Sequence, residues 1–164
     1  MPVALCNTAL FRLFFIENVI NYRETDNSRE ESCMQRIIDF LNEAGCYFLA
    51  TAAKDGVSIR PFGSNLLFEG RLYMCTGDFK EVYKQLQENP RIAIAALGEE
   101  GKWLRITGEV VFDTRPEPVE AMYALSPSLR ELYDENERKL QVCYIENGRA
   151  QFYTADGEEE EFEF

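Results

Sequence analysis

Apolar side chains fall at Met34, Ile37, Ile38 and Leu41, the i, i+3, i+4, i+7 spacing that puts them on one face of a helix ending near Gly45. Beyond that point the period shortens. The runs Tyr47–Ala53, Val57–Phe68 and Arg71–Cys75 are divided by Lys54-Asp-Gly56 and Glu69-Gly70. Such pairs predict antiparallel hairpins, because glycine supplies the positive φ that tight turns require. The pattern recurs where Arg91–Leu97 and Lys102–Phe112 flank Gly98-Glu-Glu-Gly101, and where Leu140–Ile145 and Ala150–Thr154 flank Glu146-Asn-Gly-Arg149. Two helical insertions interrupt the strands. Phe79, Val82, Tyr83 and Leu86 form a stripe stopped by Asn89-Pro90, and a second helix runs from about Pro118 to Tyr133 with a break at Pro127. Six to seven antiparallel strands with short peripheral helices predict a mainly β fold, a closed or split barrel, since curling the sheet removes exposed edges.

At 164 residues and 46% hydrophobic, the chain can bury about 68–70% of its unfolded surface without a covalent staple. Neither a repeat nor a linker divides residues 34–157, which read as one domain. Residues 1–33 differ from it. Their apolar stretch from Ala9 to Ile20 is interrupted by Arg12 and Glu17, so it is shorter than the roughly 20 apolar residues a membrane span needs. It also lacks the features of a secretory signal. The expectation is a native start at Met34, with Arg29-Glu30-Glu31 read through from a purine-rich ribosome-binding sequence. Residues 158–164 read as an acidic tail, in which the alternation of Phe162 and Phe164 leaves room for a short edge strand.

Charge and missing residue types narrow the function. Seventeen Lys and Arg against 29 Asp and Glu give a net charge of −12, which disfavours nonspecific binding to nucleic acid or anionic membranes. An anionic ligand must therefore be held by a few local cations. The chain has no histidine, which removes the commonest general base and every Ser-His or Cys-His nucleophile pair. Five irregularly spaced cysteines, Cys6, Cys33, Cys46, Cys75 and Cys143, with no CxxC, read as reduced thiols in a cytoplasmic protein and not as a zinc site.

Three places carry cations beside groups that bind ligands. On the strand around Arg60, alternation puts Ser58, Arg60, Phe62 and Ser64 on one face and Val57, Ile59 and Pro61 on the other. Pro61 cannot donate to a ladder, so a bulge or an edge is expected there. In Tyr73-Met-Cys-Thr-Gly-Asp-Phe-Lys80 a strand ends at Thr76-Gly77 and a helix starts at about Asp78. That junction offers free N–H groups and the positive end of the helix dipole to a phosphate. Lys80 in the first turn opposes the dipole unless an anion is bound; alternatively Asp78 and Glu81 form a capping box and Lys80 is solvated. In Lys102-Trp-Leu-Arg-Ile-Thr-Gly108, Trp103 shares a face with Arg105, suiting either an aromatic cofactor or a covered barrel or dimer surface.

The order of these segments resembles the pyridoxamine 5′-phosphate oxidase-like family of FMN-binding split barrels, in particular its nitroimidazole-reductase-like subgroup. The resemblance covers about residues 34–157. It rests on Phe40-Leu…Gly45-Cys-Tyr-Phe-Leu-Ala-Thr51 leading to Arg60-Pro-Phe62, on Thr76-Gly-Asp-Phe-Lys80 running to Asn89-Pro90, on Trp103-Leu-Arg-Ile-Thr-Gly108, and on Pro127-Ser-Leu-Arg-Glu-Leu-Tyr133. It implies FMN at a homodimer interface, with Arg60 and Lys80 on its phosphate and Thr76 adding a hydroxyl donor. It further implies Pro61, Phe62 and the neighbouring backbone along the isoalloxazine or ribityl chain, and Trp103 near the ring.

The resemblance also implies an oxidoreductase that passes electrons from a reduced donor such as NAD(P)H to a small organic acceptor. The alternative is a non-catalytic module of the same fold that binds, stores or senses flavin or another cofactor; a third reading is a structural dimer that has lost its cofactor. Asp78 departs from the family, standing where Ser or Thr would suit a phosphate. The C-terminal Arg and His residues of true pyridoxamine-phosphate oxidases and the active-site histidine of nitroimidazole reductases are also absent. Oxidation of pyridoxamine 5′-phosphate is therefore not expected, and no protein acid or base is assigned.

Overall fold

The computed structural model describes residues 31–133, 138–157 and 159–164. The chain divides into two units, Met1–Cys33 and Met34–Phe164. The expectations placed on residues 1–30, including the read-through origin, lie outside the described residues. No helix among the described residues is long and apolar enough to cross a membrane.

Residues 31–44 form helix α1. Its stripe of Met34, Ile37, Ile38 and Leu41 is buried as the spacing predicts. Gly45 ends it at φ 67°, with its N–H on the Leu41 carbonyl at 3.1 Å, the left-handed cap that glycine adopts without a Cβ penalty. The strands follow: β1 (Tyr47–Ala53), β2 (Gly56–Phe62), β3 (Asn65–Phe68) and β4 (Arg71–Gly77), then helix α2 (Glu81–Glu88). Strands β5 (Arg91–Leu97) and β6 (Trp103–Asp113), helices α3 (Pro116–Leu125) and α4 (Ser128–Tyr133), and strands β7 (Leu140–Tyr153) and β8 (Glu159–Glu163) complete the chain. All pairings are antiparallel, in the order β2-β1-β5-β6-β7-β4-β3 with β8 on β7. This is the expected split barrel, with eight strands instead of six to seven.

Two expectations need correction. The run Val57–Phe68 is two strands: β2 pairs with β1 and β3 with β4, and the chain changes partner at Gly63-Ser64. The Tyr47 hydroxyl holds that crossing by donating to the Ser64 carbonyl at 3.0 Å. Glu146-Asn-Gly-Arg149 is not a hairpin turn but an irregularity inside the 14-residue strand β7. The β6–β7 register shifts there, with Thr107 opposite Arg149 and Glu109 opposite Glu146, and the positive φ of Asn147, 51°, is absorbed as a bulge. Residues 159–163, in the acidic segment whose Phe162 and Phe164 alternation leaves room for a short edge strand, form β8. Its Glu161 meets Arg149 at 2.5 Å and its Phe162 packs edge-on against Phe152.

The bulge makes the sheet fork. Before it β7 pairs with β4, after it with β8, and β6 accompanies both halves. The main core fills the barrel with the α1 stripe, Leu49, Leu72, Met74, Ile94, Leu104, Ile106 and Phe152; a second cluster joins Tyr73, Cys75 and Val142 to Met122 and Tyr133 of α3 and α4. Gly108 is needed opposite the bulge, where an added Cβ would meet Ile145 Cγ2 at 2.5 Å and the Glu146 carbonyl oxygen at 3.1 Å. Gly108→Ala is expected to cost about 1–3 kcal/mol, the usual penalty of overpacking, read as a lowered urea midpoint with an unchanged slope.

Candidate functional site

Strands β1 and β4 are not neighbours in the sheet, and helix α2 packs against both. Val82 and Leu86 supply its buried face. Its placement is fixed by charge as well. Arg60 Nη1 donates to Thr51 Oγ1 at 2.7 Å and to the Leu49 carbonyl at 3.2 Å, while Nη2 donates to Gln85 Oε1 at 2.8 Å. The Thr51 hydroxyl donates to the same Gln85 oxygen at 2.7 Å. Alternation puts Arg60 on one face with Phe62, and the half-buried positions there mark it as the inner face. Burial lowers the Arg60 pKa, yet its fork of donors meets three acceptors.

The start of α2 differs from expectation. The helix begins at Glu81, its N-cap is Lys80, and no side chain caps it. Glu81 instead pairs with Lys84 at 2.7 Å, so the anticipated capping box does not form. Lys80 is exposed, and among the described residues no carboxylate lies within salt-bridge distance of it. Its Nζ sits 5.9 Å from the Phe79 ring and 5.6 Å from the Tyr133 ring. On β4, four residues earlier, Thr76 is 2% exposed and its Oγ1 has no hydrogen-bond partner, a condition that costs about 1–3 kcal/mol. Between them Gly77 leaves room for two rings: an added Cβ would lie 2.5 Å from Phe79 Cε1 and 2.9 Å from Tyr133 Cε1, so those rings would have to shift.

Helix α2 thus links Arg60, bonded to Gln85, with Lys80 at its N-cap; Thr76 shares the barrel-core face of β4 with Leu72 and Met74, whereas Phe79, Tyr133 and Lys80 lie on the Gly77 side. Lys80 and Gln85 are five residues apart along it, roughly 7.5 Å of helical rise. Phe62 belongs to the inner face too, its ring 6.0 Å from that of Tyr47. Pro61 lies on the outer face of β2, an edge strand, with no register shift against β1; of the two expected alternatives the edge holds. Trp103 is also on the outer face and is not brought to α2 within the chain. It stacks flat on Tyr153, its cross-strand partner, at 3.9 Å and 7°, with the Arg105 guanidinium 5.0 Å from its ring.

A second polar cluster was not anticipated. Arg115 meets Asp113 Oδ2 at 2.8 Å and Glu69 Oε2 at 2.9 Å, and the Tyr73 hydroxyl donates to Asp113 Oδ2 at 2.8 Å. Glu69, Asp113 and Arg115, with Arg71, Phe112, Thr114 and Tyr144, border an open cavity of about 400 Å³. Hydrogen bonds from Arg115 hold the Asp113 carboxyl well below the usual range, and burial pushes the Tyr73 phenol up to about 12. Sequence spacing hides this cluster, because Glu69, Tyr73 and Asp113 meet only through tertiary folding.

Comparison with known proteins gives consistent relatives. The family model described as pyridoxamine 5′-phosphate oxidase matches residues 34–164. No curated protein matches. Among solved structures, a NimC/NimA family protein from Clostridium acetobutylicum is 33% identical, with 84% of this chain and 96% of that one covered and a TM-score of 0.77. A pyridoxamine 5′-phosphate oxidase-related, FMN-binding protein from Nostoc punctiforme is 14% identical over 79% of this chain and 95% of its own, TM-score 0.55. A heme binding protein from Mycobacterium smegmatis is 17% identical over 75% of this chain and 57% of its own, TM-score 0.58.

Two outcomes check this geometry. Gln85→Met should destabilise the fold by about 1–2 kcal/mol, because the half-buried Arg60 loses a charge-assisted acceptor; chemical denaturation reads it. The depressed Asp113 pKa stabilises the fold above the unfolded-state value of about 3.9, a contribution lost as pH falls through the folded value. Asp113→Asn should therefore flatten the loss of stability between about pH 5 and pH 2, followed by thermal unfolding across that window.

Proposed function

The chain belongs to the pyridoxamine 5′-phosphate oxidase family, and from that premise we propose that it is an FMN-binding flavoprotein that works as an oxidoreductase on small organic acceptors, with a reduced donor such as NAD(P)H. The observation that carries the reading is helix α2, which no side chain caps and whose N-cap, the exposed Lys80, has no carboxylate partner among the described residues. A phosphate carrying about −1.5 to −2 charges fits this end of the helix. Lys80 supplies a point charge and the first N–H groups of α2 the donors that a helix N-terminus offers anions; the Thr76 hydroxyl, buried without a partner on the barrel side of β4, would have to be reached from there.

Arg60 has a different part in this proposal. Its donors are engaged by Thr51, Leu49 and Gln85, so it holds α2 in place and adds positive charge nearby. Phe62 and the Pro61 backbone lie on the strand that would run along the ribityl chain or ring. Bound FMN would supply the redox chemistry, while the protein binds, orients and desolvates it.

Trp103 and Pro61 face outward, so their contact with a flavin requires a second copy of the chain. The outer sheet face supports that homodimer. Phe48, Val57, Ile59 and Leu97 are 52%, 78%, 66% and 72% exposed, and the cross-strand register places them on one surface with Pro61, Ala50 and Ala95. An apolar face of this kind marks an interaction surface. The haem-binding relative motivates a second reading, a non-catalytic cofactor module, but the chain has no histidine to serve as a conventional axial ligand.

Purified or FMN-reconstituted protein should show flavin absorption that bleaches anaerobically on addition of NADH or NADPH. Flavin absorption without bleaching or turnover by any donor favours the binding module. Lys80→Ala should weaken FMN roughly tenfold or more, the loss of one charge-assisted hydrogen bond, while riboflavin binding and the unfolding midpoint stay nearly unchanged. Ile59→Asp should convert a dimer into a monomer on sedimentation; a wild-type chain that sediments as a monomer with FMN bound rejects the interface.

A further inference from the structure

We infer that Asn147 is a site of spontaneous covalent modification, the loss of its side-chain amide through a cyclic imide with Gly148, and that strand β8 is the lock that holds this reaction off in the folded chain. The reaction needs no ligand and stands apart from the flavin reading. Its chemistry is local. The Gly148 backbone nitrogen attacks the Asn147 side-chain carbonyl carbon, a C–N bond forms to close a five-membered succinimide, and the bond from that carbon to the side-chain nitrogen breaks. The proton of the Gly148 N–H departs with the side-chain nitrogen as ammonia. Water then opens the ring at either carbonyl, so position 147 ends as aspartate or as isoaspartate. No electrons are transferred, and water is the only co-reactant. A glycine after the asparagine favours closure, because no Cβ shields the attacking nitrogen and the backbone reaches the conformation that the ring requires.

The two residues occupy the β7 bulge in contrasting ways. Asn147 is exposed, with φ 51°, so its side-chain amide stands in solvent. Gly148 is buried. Its N–H donates to the Phe164 carbonyl at 2.6 Å, and its own carbonyl accepts from the Phe164 N–H at 2.8 Å. The Phe164 ring fills the space where a side chain at position 148 would stand, and a Cβ added to Gly108 would lie 3.3 Å from the Gly148 Cα. A nitrogen whose hydrogen is committed to a carbonyl, in a backbone held between two neighbours, neither gives its proton to solvent nor turns toward the Asn147 side chain. Cyclisation therefore waits for local opening of β8. What keeps β8 in place is modest. It pairs with β7 alone, and its Glu161 meets Arg149 at 2.5 Å and its Glu160 meets Arg36 of α1 at 2.6 Å. The Arg36 guanidinium also stands 4.3 Å from the Phe152 ring and 5.5 Å from the Phe162 ring. Exposed ion pairs of this kind contribute little each, so the lock is an edge strand of low local stability. Opening it has a lasting consequence: the product adds a negative charge beside Glu146, or, as isoaspartate, an extra backbone carbon at the point where β7 passes from β4 to β8.

The test incubates the intact chain under native conditions at mildly alkaline pH, where more of the attacking amide is deprotonated. Mass spectrometry follows the peptide containing position 147, and hydrogen exchange follows the Gly148 N–H. Folded wild type should keep Asn147 far longer than the same chain in urea. Phe164→Ala should accelerate both amide exchange and ammonia loss roughly tenfold, the weight of about one hydrogen bond. Arg36→Ala, remote from Asn147 in the sequence, should accelerate both by a smaller factor, because it acts only by loosening β8. Ammonia loss from folded wild type at the unfolded rate, or a Phe164→Ala rate equal to wild type, overturns the lock. An unfolded chain that keeps Asn147 intact overturns the site itself.

Discussion

The arrangement depends on one constraint: a half-buried guanidinium at the seam between β1 and α2 must find acceptors within the fold. Arg60 meets it by donating to Thr51 and the Leu49 carbonyl on β1 and to Gln85 on α2. Hydrogen bonds to a charged group contribute more than neutral ones, about 1.5–3 kcal/mol each, and they are directional where the packing of Val82 and Leu86 is not. Apolar contact alone would hold α2 against the seam but let it slide or rotate. The guanidinium fixes its register, and with it the position of Lys80 at the opposite end of the same short helix.

That register explains the distribution of charge. With a net charge of −12, exposed cations have many carboxylates to choose from, and among the described residues Arg36, Lys84, Arg91, Lys102, Arg115, Arg130 and Arg149 have taken one. Where β4 ends and α2 begins, geometry prevents it. Lys80 and Arg138 lean on Phe79 and Tyr133, and the adjacent Glu81 is held by Lys84. On the reading proposed above a small phosphate-bearing ligand would meet these cations, while the net negative charge of the molecule disfavours long polyanions.

Much of this was legible in sequence, and the exceptions have physical reasons. The helix stripes of α1 and α2 were readable because a 3.6-residue period survives any tertiary context, and the shared face of Arg60 and Phe62 followed from strand alternation. The hairpin read at Asn147-Gly148 was wrong because positive φ serves a bulge as well as a turn. Only the neighbouring β6, with Gly108 making room, decides between them. The split of Val57–Phe68 at Gly63 depends on Tyr47 reaching the Ser64 carbonyl, a contact 17 residues apart in sequence. Arg138 was invisible for another reason: it follows three acidic residues in four positions, and such a run reads as solvated surface until a structure shows what the arginine touches.

The two polar clusters show why a cavity and a binding site are different things. Arg115 borders the open cavity beside β4 and β6, but Asp113 and Glu69 both hold its guanidinium and Tyr73 completes the circuit. A ligand entering there would have to displace bonds already made, and an anion would face two carboxylates. At the α2 terminus the balance is reversed: no side chain caps the helix, and its N-cap Lys80 has no counter-ion among the described residues. Binding gains most where the free protein has left its polar groups unmatched, because little has to be broken first. On that argument the α2 terminus at Lys80, and not the hollow at Arg115, is the place we propose for a phosphate.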